Sequence, residues 1–181
     1  MLLLFLSSIA WPYSPTKDLY FSKNIEYKTT AVEGSLLSYS FFRKEKTTYS
    51  LEMSSKAILA SSSAALKEIE RIKKDLKPCR PDDHLEIYEL STSQLNNKDR
   101  FPETYLYKKD IWGYFDPRPN EVKINSIIVT QQSEFNNFQI LTHEVAHHWY
   151  SAYCLEEYTR ITSEEFAVKI QFSLENLNVY N

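Results

Sequence analysis

The sequence is short of glycine and cysteine. Only two of its 181 residues are glycines and only two are cysteines, whereas glycine alone makes up about 7% of an average protein. Gly34 and Gly113 stand alone, so neither of the phosphate-binding patterns GxGxxG and GxxxxGK(S/T) occurs. Two cysteines are too few for a zinc-finger ligand set or a dense disulfide scaffold. These shortages exclude glycine-rich nucleotide-binding loops, collagen-like chains and small disulfide-rich modules.

An excess of positive charge is also missing, as are long apolar runs. The chain carries 21 lysines and arginines against 24 aspartates and glutamates, a net charge of -3. It therefore lacks the basic footprint of a nucleic-acid-binding protein. Its most apolar stretch, residues 1–11, is shorter than the roughly 20 residues that span a bilayer. We predict no nucleic-acid partner and no stable membrane span, and the oligomeric state stays open.

The apolar start of the chain is typical of a secretory signal peptide. Residues 1–10 read MLLLFLSSIA, with a small-x-small cleavage pattern that would place the cut after Ala10. The run is short for a signal and lacks a positive charge, and the alternatives are a buried N-terminal strand or a truncated start. We predict an exported protein, periplasmic or secreted, which would be cytoplasmic if this run is not a signal. In an exported protein Cys79 and Cys154 could form a disulfide; two free buried thiols are the alternative.

Residues 11–78 are predicted to form a β-rich region followed by a helix. Tyr, Thr, Ser and Phe alternate over residues 24–53, with a polar break at 43–46, which predicts two or three antiparallel strands with a hairpin at that break. Over residues 55–77 the apolar positions follow helical spacing, and two prolines, at 78 and 81, end the pattern. The role of this region, as a propeptide, a substrate-binding flank or part of one sheet, stays open.

Residues 79–181 combine short strands with two helices. Strands are predicted at 85–90, 111–115 and 122–129, and helices at 133–154 and 163–176. Residues 91–110 are predicted to be a loop, and Asp116–Asn120 is a strong turn signal. The order of elements predicts an α+β fold in which a small mixed or antiparallel sheet packs on the two helices. We expect this part to form one compact domain with the preceding one.

The helix predicted at 133–154 contains the pattern HExxH, which is typical of zinc metalloproteases. His143 and His147 are four positions apart, so they lie one turn apart on one helical face. Two imidazole nitrogens can there converge on one Zn²⁺ at about 2.0–2.1 Å. Glu144 is placed beside such a metal and could take a proton from zinc-bound water.

A catalytic zinc site needs a third protein ligand. The metzincin pattern HExxHxxGxxH is excluded, because Tyr150 and Tyr153 stand at its glycine and third histidine positions. His148 points about 100° away from His147, and the distant His84 is interpreted as a structural or surface residue. The third ligand is therefore sought among carboxylates on the next helix.

Several glutamates are candidates for this third ligand. Thr162 and Glu165 fit the capping box S/T-x-x-E, which gives Glu165 a structural role and leaves Glu164 free to face a metal. We therefore favour Glu164. Glu165 remains an alternative, followed by Glu156 and Glu157, which lie close to the end of the first helix.

With His143, Glu144, His147 and Glu164 in place, the sequence resembles the gluzincin clan of zinc metallopeptidases. SEEFA at 163–167 is similar to the clan's N-E-G-F-A, although Glu165 stands where the glycine usually is. The resemblance covers residues 111–170 and is strongest to minimal gluzincins with a peptidase MA-like domain. It implies a zincin-like fold, a Zn²⁺ cofactor and a protein or peptide substrate. The implied activity is that of a hydrolase, an endopeptidase, that cleaves peptide bonds by Glu-assisted attack of zinc-bound water.

The resemblance leaves the stabiliser of the transition state unassigned. Only fourteen residues follow Ala167, so we expect no C-terminal subdomain to supply a histidine or tyrosine. Tyr150, Tyr153 and Tyr158 lie between the ligand positions and could offer a phenol, although in a chain with thirteen tyrosines ordinary packing is favoured for each. The strand at 122–128 is the expected edge strand for substrate pairing.

Two alternative functions remain open at this point. A catalytically inactive gluzincin homologue would act as a zinc-stabilised, secreted binding module. A zinc-free secreted binding domain would carry its histidines incidentally. Cleavage specificity cannot be inferred from the sequence.

Overall fold

A computed structural model describes residues 28–31, 38–43, 51–74, 77–80, 84–90, 112–116, 124–130 and 134–175. These residues form a mixed α/β structure with one sheet and three α-helices. No helix among them is long and apolar enough to cross a membrane. The predicted signal peptide at 1–10 and the predicted loop at 91–110 lie outside the described residues.

Five strands and three helices make up the described fold. The strands are β1 Lys28–Ala31, β2 Ser38–Arg43, β3 His84–Leu90, β4 Gly113–Asp116 and β5 Ile124–Thr130. The helices are α1 Leu51–Ile72, α2 Glu134–Ala152 and α3 Ser163–Glu175, with a 3-10 turn at Leu155–Glu157. The predicted helices at 133–154 and 163–176 are confirmed to within two residues at each end.

The sheet is mixed, with the strand order β1-β2-β3-β5-β4. Strands β2, β3 and β5 run parallel, while β1 and β4 lie antiparallel to their neighbours. The mixed sheet is one of the two kinds that the sequence predicts. The prediction that the strand at 122–128 forms the edge of the sheet is wrong, because β5 lies between β3 and β4. Within the described part of the chain β4 is the edge strand on this side.

The predicted antiparallel pairing in the N-terminal region is seen between β1 and β2, whereas the hairpin predicted at residues 43–46 falls almost wholly on residues 44–50, outside the described residues. Arg43 ends β2, and the next described element is α1, which begins at Leu51. Strand β2 then pairs with β3 in parallel, and α1 supplies the crossover that parallel neighbours need. Helix α1 ends at Ile72, before the predicted end at residue 77.

Two buried serines of α1 hold it against α2. The Ser61 hydroxyl donates to the Thr142 carbonyl oxygen over 2.7 Å, and the Trp149 indole N–H donates to Ser62 Oγ over 2.9 Å. Both serines are fully buried and hydrogen-bonded, so burying their polar groups is compensated. Thr142 and Trp149 flank the HExxH pattern, so these bonds fix the rotation of α2 about its axis.

The hydrophobic core lies between the sheet and the helices. Buried residues from α2 include Phe138, Leu141 and Val145, at spacings of three and four. They pack in one cluster with buried residues of β3 and β5, such as Ile87 and Ile127. Because this stripe faces the core, the neighbouring face of α2 is left to carry the two histidines of the HExxH pattern.

A disulfide between Cys79 and Cys154 ties the segment after α1 to the end of α2. The two Cα atoms are 6.1 Å apart, and the bond joins positions separated by 75 residues. Beside it, the Arg80 N–H donates to the Ala152 carbonyl oxygen over 3.1 Å. Of the two alternatives left open by the sequence, the structure has the disulfide.

Replacing Cys79 by serine is expected to lower the free energy of unfolding by about 4 kcal/mol. Without the crosslink, the unfolded chain regains the entropy of a loop of this length. Urea denaturation of both proteins measures the change. Reducing agent should bring the wild type to the stability of the variant and leave the variant unchanged; an equal effect of reductant on both would contradict the disulfide.

Candidate metal centre

Three side chains from α2 and α3 converge on one point. The Nε2 atoms of His143 and His147 are 3.1 Å apart. Glu164 approaches from the start of α3, with Oε1 3.3 Å from His143 Nε2 and Oε2 3.4 Å from His147 Nε2. The predicted grouping is confirmed: these three residues form a group that could hold a metal ion.

The donor atoms lie close enough together to share one cation. One nitrogen from each histidine and one carboxylate oxygen of Glu164 all lie within 4.8 Å of one another, and each Glu164 oxygen approaches a different histidine. Both imidazoles are mostly buried, whereas 69% of the Glu164 side chain is exposed. Solvent therefore reaches the group from the Glu164 side.

The capping box at the start of α3 selects Glu164 rather than its neighbour. The Thr162 N–H donates to Glu165 Oε2 over 2.8 Å, and the Glu165 N–H donates back to Thr162 Oγ1 over 3.2 Å. The bond from the Thr162 N–H holds the pKa of the Glu165 carboxyl below its usual value. Glu165 thus acts as the predicted cap. Glu156 and Glu157 lie exposed in the 3-10 turn, outside the grouped residues.

The δ nitrogen of each histidine has its own partner on α3. His147 Nδ1 lies 2.7 Å from Ser163 Oγ, and His143 Nδ1 lies 3.2 Å from Gln171 Oε1. These contacts hold both rings with Nε2 turned toward Glu164, as ligating imidazoles require. The sequence pattern did not single out either partner. Their positions carried a signal, because Ser163 directly precedes Glu164 and Gln171 follows it by seven residues, on the same helical face.

The charge state of His147 suits metal binding. Burial lowers the pKa of His147 to about 4, and the neighbouring His143 acts in the same direction, while Glu164 opposes the shift. The imidazole is therefore neutral at neutral pH. Neutral imidazole is the form that donates a lone pair to a metal.

Glu144 lies in a cleft next to the three grouped residues. The cleft measures about 250 Å³ and is lined by Trp112, Gly113, Gln139, Ile140, His143, Glu144 and Gln171. Burial raises the pKa of the Glu144 carboxyl to about 8, and the nearby Glu164 carboxylate adds to the shift. A carboxyl with a strongly raised pKa in a cleft is typical of a general acid or base.

Gly113 makes room for Glu144 at the start of β4. A Cβ atom at position 113 would lie 2.9 Å from Glu144 Cδ and 2.7 Å from Ile140 Cγ2, both closer than side chains approach in folded proteins. A larger residue at this position would therefore displace the Glu144 carboxyl or the Ile140 side chain. Gly113 was not predicted as a site residue, although an isolated glycine inside a predicted strand is a signal of a close backbone approach.

The three candidate tyrosines make packing contacts elsewhere. The Tyr150 hydroxyl donates to the Ile161 carbonyl oxygen over 2.8 Å. The ring of Tyr153 packs on Trp149. Tyr158 is half exposed, with Lys73 Nζ 4.4 Å from its ring centroid. The structure therefore gives none of these phenols a position at the metal group.

The other two histidines, His84 and His148, influence each other electrostatically and lie outside the group that could hold a metal. His148 is buried on α2, and burial lowers its pKa to about 3, with His84 adding to the shift. His84 begins β3. Neither belongs to the group that could hold a metal, in line with the exclusion argued from helical geometry.

Comparisons with protein-family models, with curated proteins and with solved structures found no match to this chain.

Proposed function

We propose that this protein is a zinc-dependent metallopeptidase with a zincin-like catalytic region. The observation that carries the proposal is the convergence of His143, His147 and Glu164 beside the buried carboxyl of Glu144. A donor set of two histidines and a glutamate suits Zn²⁺, whereas all-oxygen sets suit Mg²⁺ or Ca²⁺. When bound, Zn²⁺ polarises a peptide carbonyl and lowers the pKa of a water molecule toward about 7.

Glu144 moves the proton in this proposal. It accepts a proton from the attacking water and delivers it to the leaving amine. Its raised pKa shows that the carboxyl is held away from bulk solvent. A cation at the neighbouring group would favour the carboxylate form and oppose that shift, so that the group acts as a base near neutral pH.

The edge of β4 offers a binding surface for an extended peptide. The Thr130 N–H donates to the Trp112 carbonyl oxygen over 2.8 Å. Along an antiparallel pair of strands, residues that bond to the neighbouring strand alternate with residues whose backbone groups point away from it. Trp112 bonds to β5, so the backbone N–H and C=O groups of Gly113 and Phe115 point away from β5. These groups face the edge that passes Glu144. Strand addition there supports an endopeptidase acting on extended chains.

Metal analysis and turnover of tag-free protein test the proposal. We expect one zinc per chain, cleavage of a mixed peptide library, loss of cleavage with a chelator and recovery with zinc. Glu164→Ala should lose most of the bound zinc, while Glu165→Ala, which removes only the cap, should keep it. Wild-type protein without zinc would refute the proposal.

A catalytically inactive, zinc-stabilised binding module is the second candidate. The observation that favours it is the placement of the three tyrosines, whose contacts lie elsewhere. Stoichiometric zinc without any peptide turnover would support this candidate and exclude the peptidase.

Replacing Gly113 by alanine is expected to lower kcat/KM for peptide cleavage by about 100-fold while the zinc content stays the same. The added Cβ displaces the Glu144 carboxyl, and a misplacement of about 1 Å costs this much in rate. Zinc stoichiometry and steady-state kinetics on the same samples measure both quantities. Wild-type kinetics in the variant would show that the position of Glu144 does not depend on this glycine.

A further inference from the structure

A chain of hydrogen bonds extends from His143 to the last turn of α3. His143 Nδ1 contacts Gln171 Oε1 at 3.2 Å, and Gln171 Nε2 donates to Glu175 Oε1 over 3.2 Å. Gln139 Nε2 donates to the same carboxylate oxygen over 2.7 Å. Gln139 lies one turn before His143 on α2, so the bonds close a ring that joins α2 to α3.

The carboxylate at the end of this chain fixes the orientation of the Gln171 amide. An ionised carboxylate only accepts hydrogen bonds, so Glu175 takes the amide N–H end of Gln171. The carbonyl end of the same amide must then face His143. An acceptor at His143 Nδ1 requires the proton on that nitrogen, which leaves the lone pair on Nε2, the atom that faces Glu164.

We propose that Glu175 is a positioning residue for the metal centre and acts through Gln171. It sets the tautomer and the ring orientation of His143 without touching the histidine. Gln139 holds the Glu175 carboxylate in place from α2. The inference rests on the proposed zinc site, which it deepens by assigning residues beyond the ligands.

Zinc affinity and the absorption spectrum of Co²⁺-substituted protein test this role. Gln171→Leu and Glu175→Leu are each expected to weaken zinc binding by about 10–100-fold and to shift the Co²⁺ bands. Glu175→Gln should stay within about threefold of the wild type, because its amide oxygen can still accept both bonds. The double variant should bind zinc no more weakly than Gln171→Leu alone, since one residue acts through the other.

Controls separate this role from a general loss of stability. Glu70→Leu makes the same exchange at an exposed position of α1 and should leave zinc affinity unchanged. Unfolding of the metal-free proteins shows that the variants fold, and Glu175→Ala is a second variant with the same expectation as Glu175→Leu.

Three outcomes would overturn the inference. In the first, Glu175→Leu binds zinc as tightly as Glu70→Leu. In the second, Glu175→Gln binds zinc as weakly as Glu175→Leu. In the third, the losses of zinc affinity from Gln171→Leu and Glu175→Leu add up in the double variant. In each of these the wild type binds zinc, so the proposed function survives. A wild type that binds no zinc would instead refute the proposed function and this inference together.

Discussion

Replacing Glu144 by glutamine is expected to lower kcat/KM for peptide hydrolysis by about 10²–10⁴-fold, the contribution of a general base, while the zinc content stays at that of the wild type. Glutamine has the size of glutamate but cannot accept a proton from water. The three grouped residues are unchanged in this variant, so metal binding should survive. Steady-state kinetics and metal analysis of one preparation measure both expectations.

A matched exchange at an exposed glutamate gives the control. Glu157 lies in the 3-10 turn and is exposed, so Glu157→Gln should leave both turnover and zinc content unchanged. Full activity in Glu144→Gln would refute the mechanism. Loss of zinc together with activity would also contradict it, because Glu144 would then be needed to hold the metal.

The helices of the site could be predicted closely because two local signals agree there. On α2 the apolar stripe of Phe138, Leu141 and Val145 follows helical spacing, and the i, i+4 histidines need a helix to meet. At the start of α3 the capping box fixes the first turn by contacts between residues three positions apart. Both signals lie within a few residues of sequence, and tertiary packing supports rather than overrides them.

Strand pairing could not be predicted in the same way. Alternation along residues 24–53 shows that strands are favoured, but it does not say which strands become neighbours. Strand β2 pairs with β3, which follows it only after the 22-residue helix α1. The place of β5 inside the sheet likewise depends on which faces are buried in the complete fold.

For the same reason, the three residues that could hold a metal were predicted from the sequence, whereas the residues that support them were not. His143, His147 and Glu164 have distinctive chemistry and spacing, so a pattern finds them. Gln171 and Ser163 are common residue types on a helix surface, and their role appears only when α3 is laid against α2. Gly113 matters because β4 passes Glu144, a contact between elements that are distant in sequence.

Without metal, the stability that protonated Glu144 contributes is expected to be lost as the pH rises from about 4.5 to 8, and Glu144→Gln should not show this loss. The buried His147 and His148, whose pKa values lie at about 4 and about 3, act in the opposite direction below about pH 6.5, so the wild type is compared with the variant at each pH. Burial raises the pKa of Glu144 from 4.5 to about 8 in the folded protein. The folded state therefore binds its proton more tightly than the unfolded state does. Between pH 4.5 and about 8, unfolding therefore releases the Glu144 proton, and through this group a rise in pH favours the unfolded chain.

This difference can be measured by urea unfolding in chelator at pH 4 and pH 8. The shift corresponds to on the order of 4 kcal/mol at pH 8, so Glu144→Gln should be more stable than the wild type there and close to it at pH 4. Adding zinc should reduce the stability difference between Glu144→Gln and the wild type at pH 8, because a cation beside Glu144 favours its carboxylate form. Equal stability of both proteins at pH 8 would mean that Glu144 is solvated in the metal-free state. A buried carboxyl held in this cleft thus costs stability in the metal-free protein, and a cation bound at the neighbouring group would offset that cost.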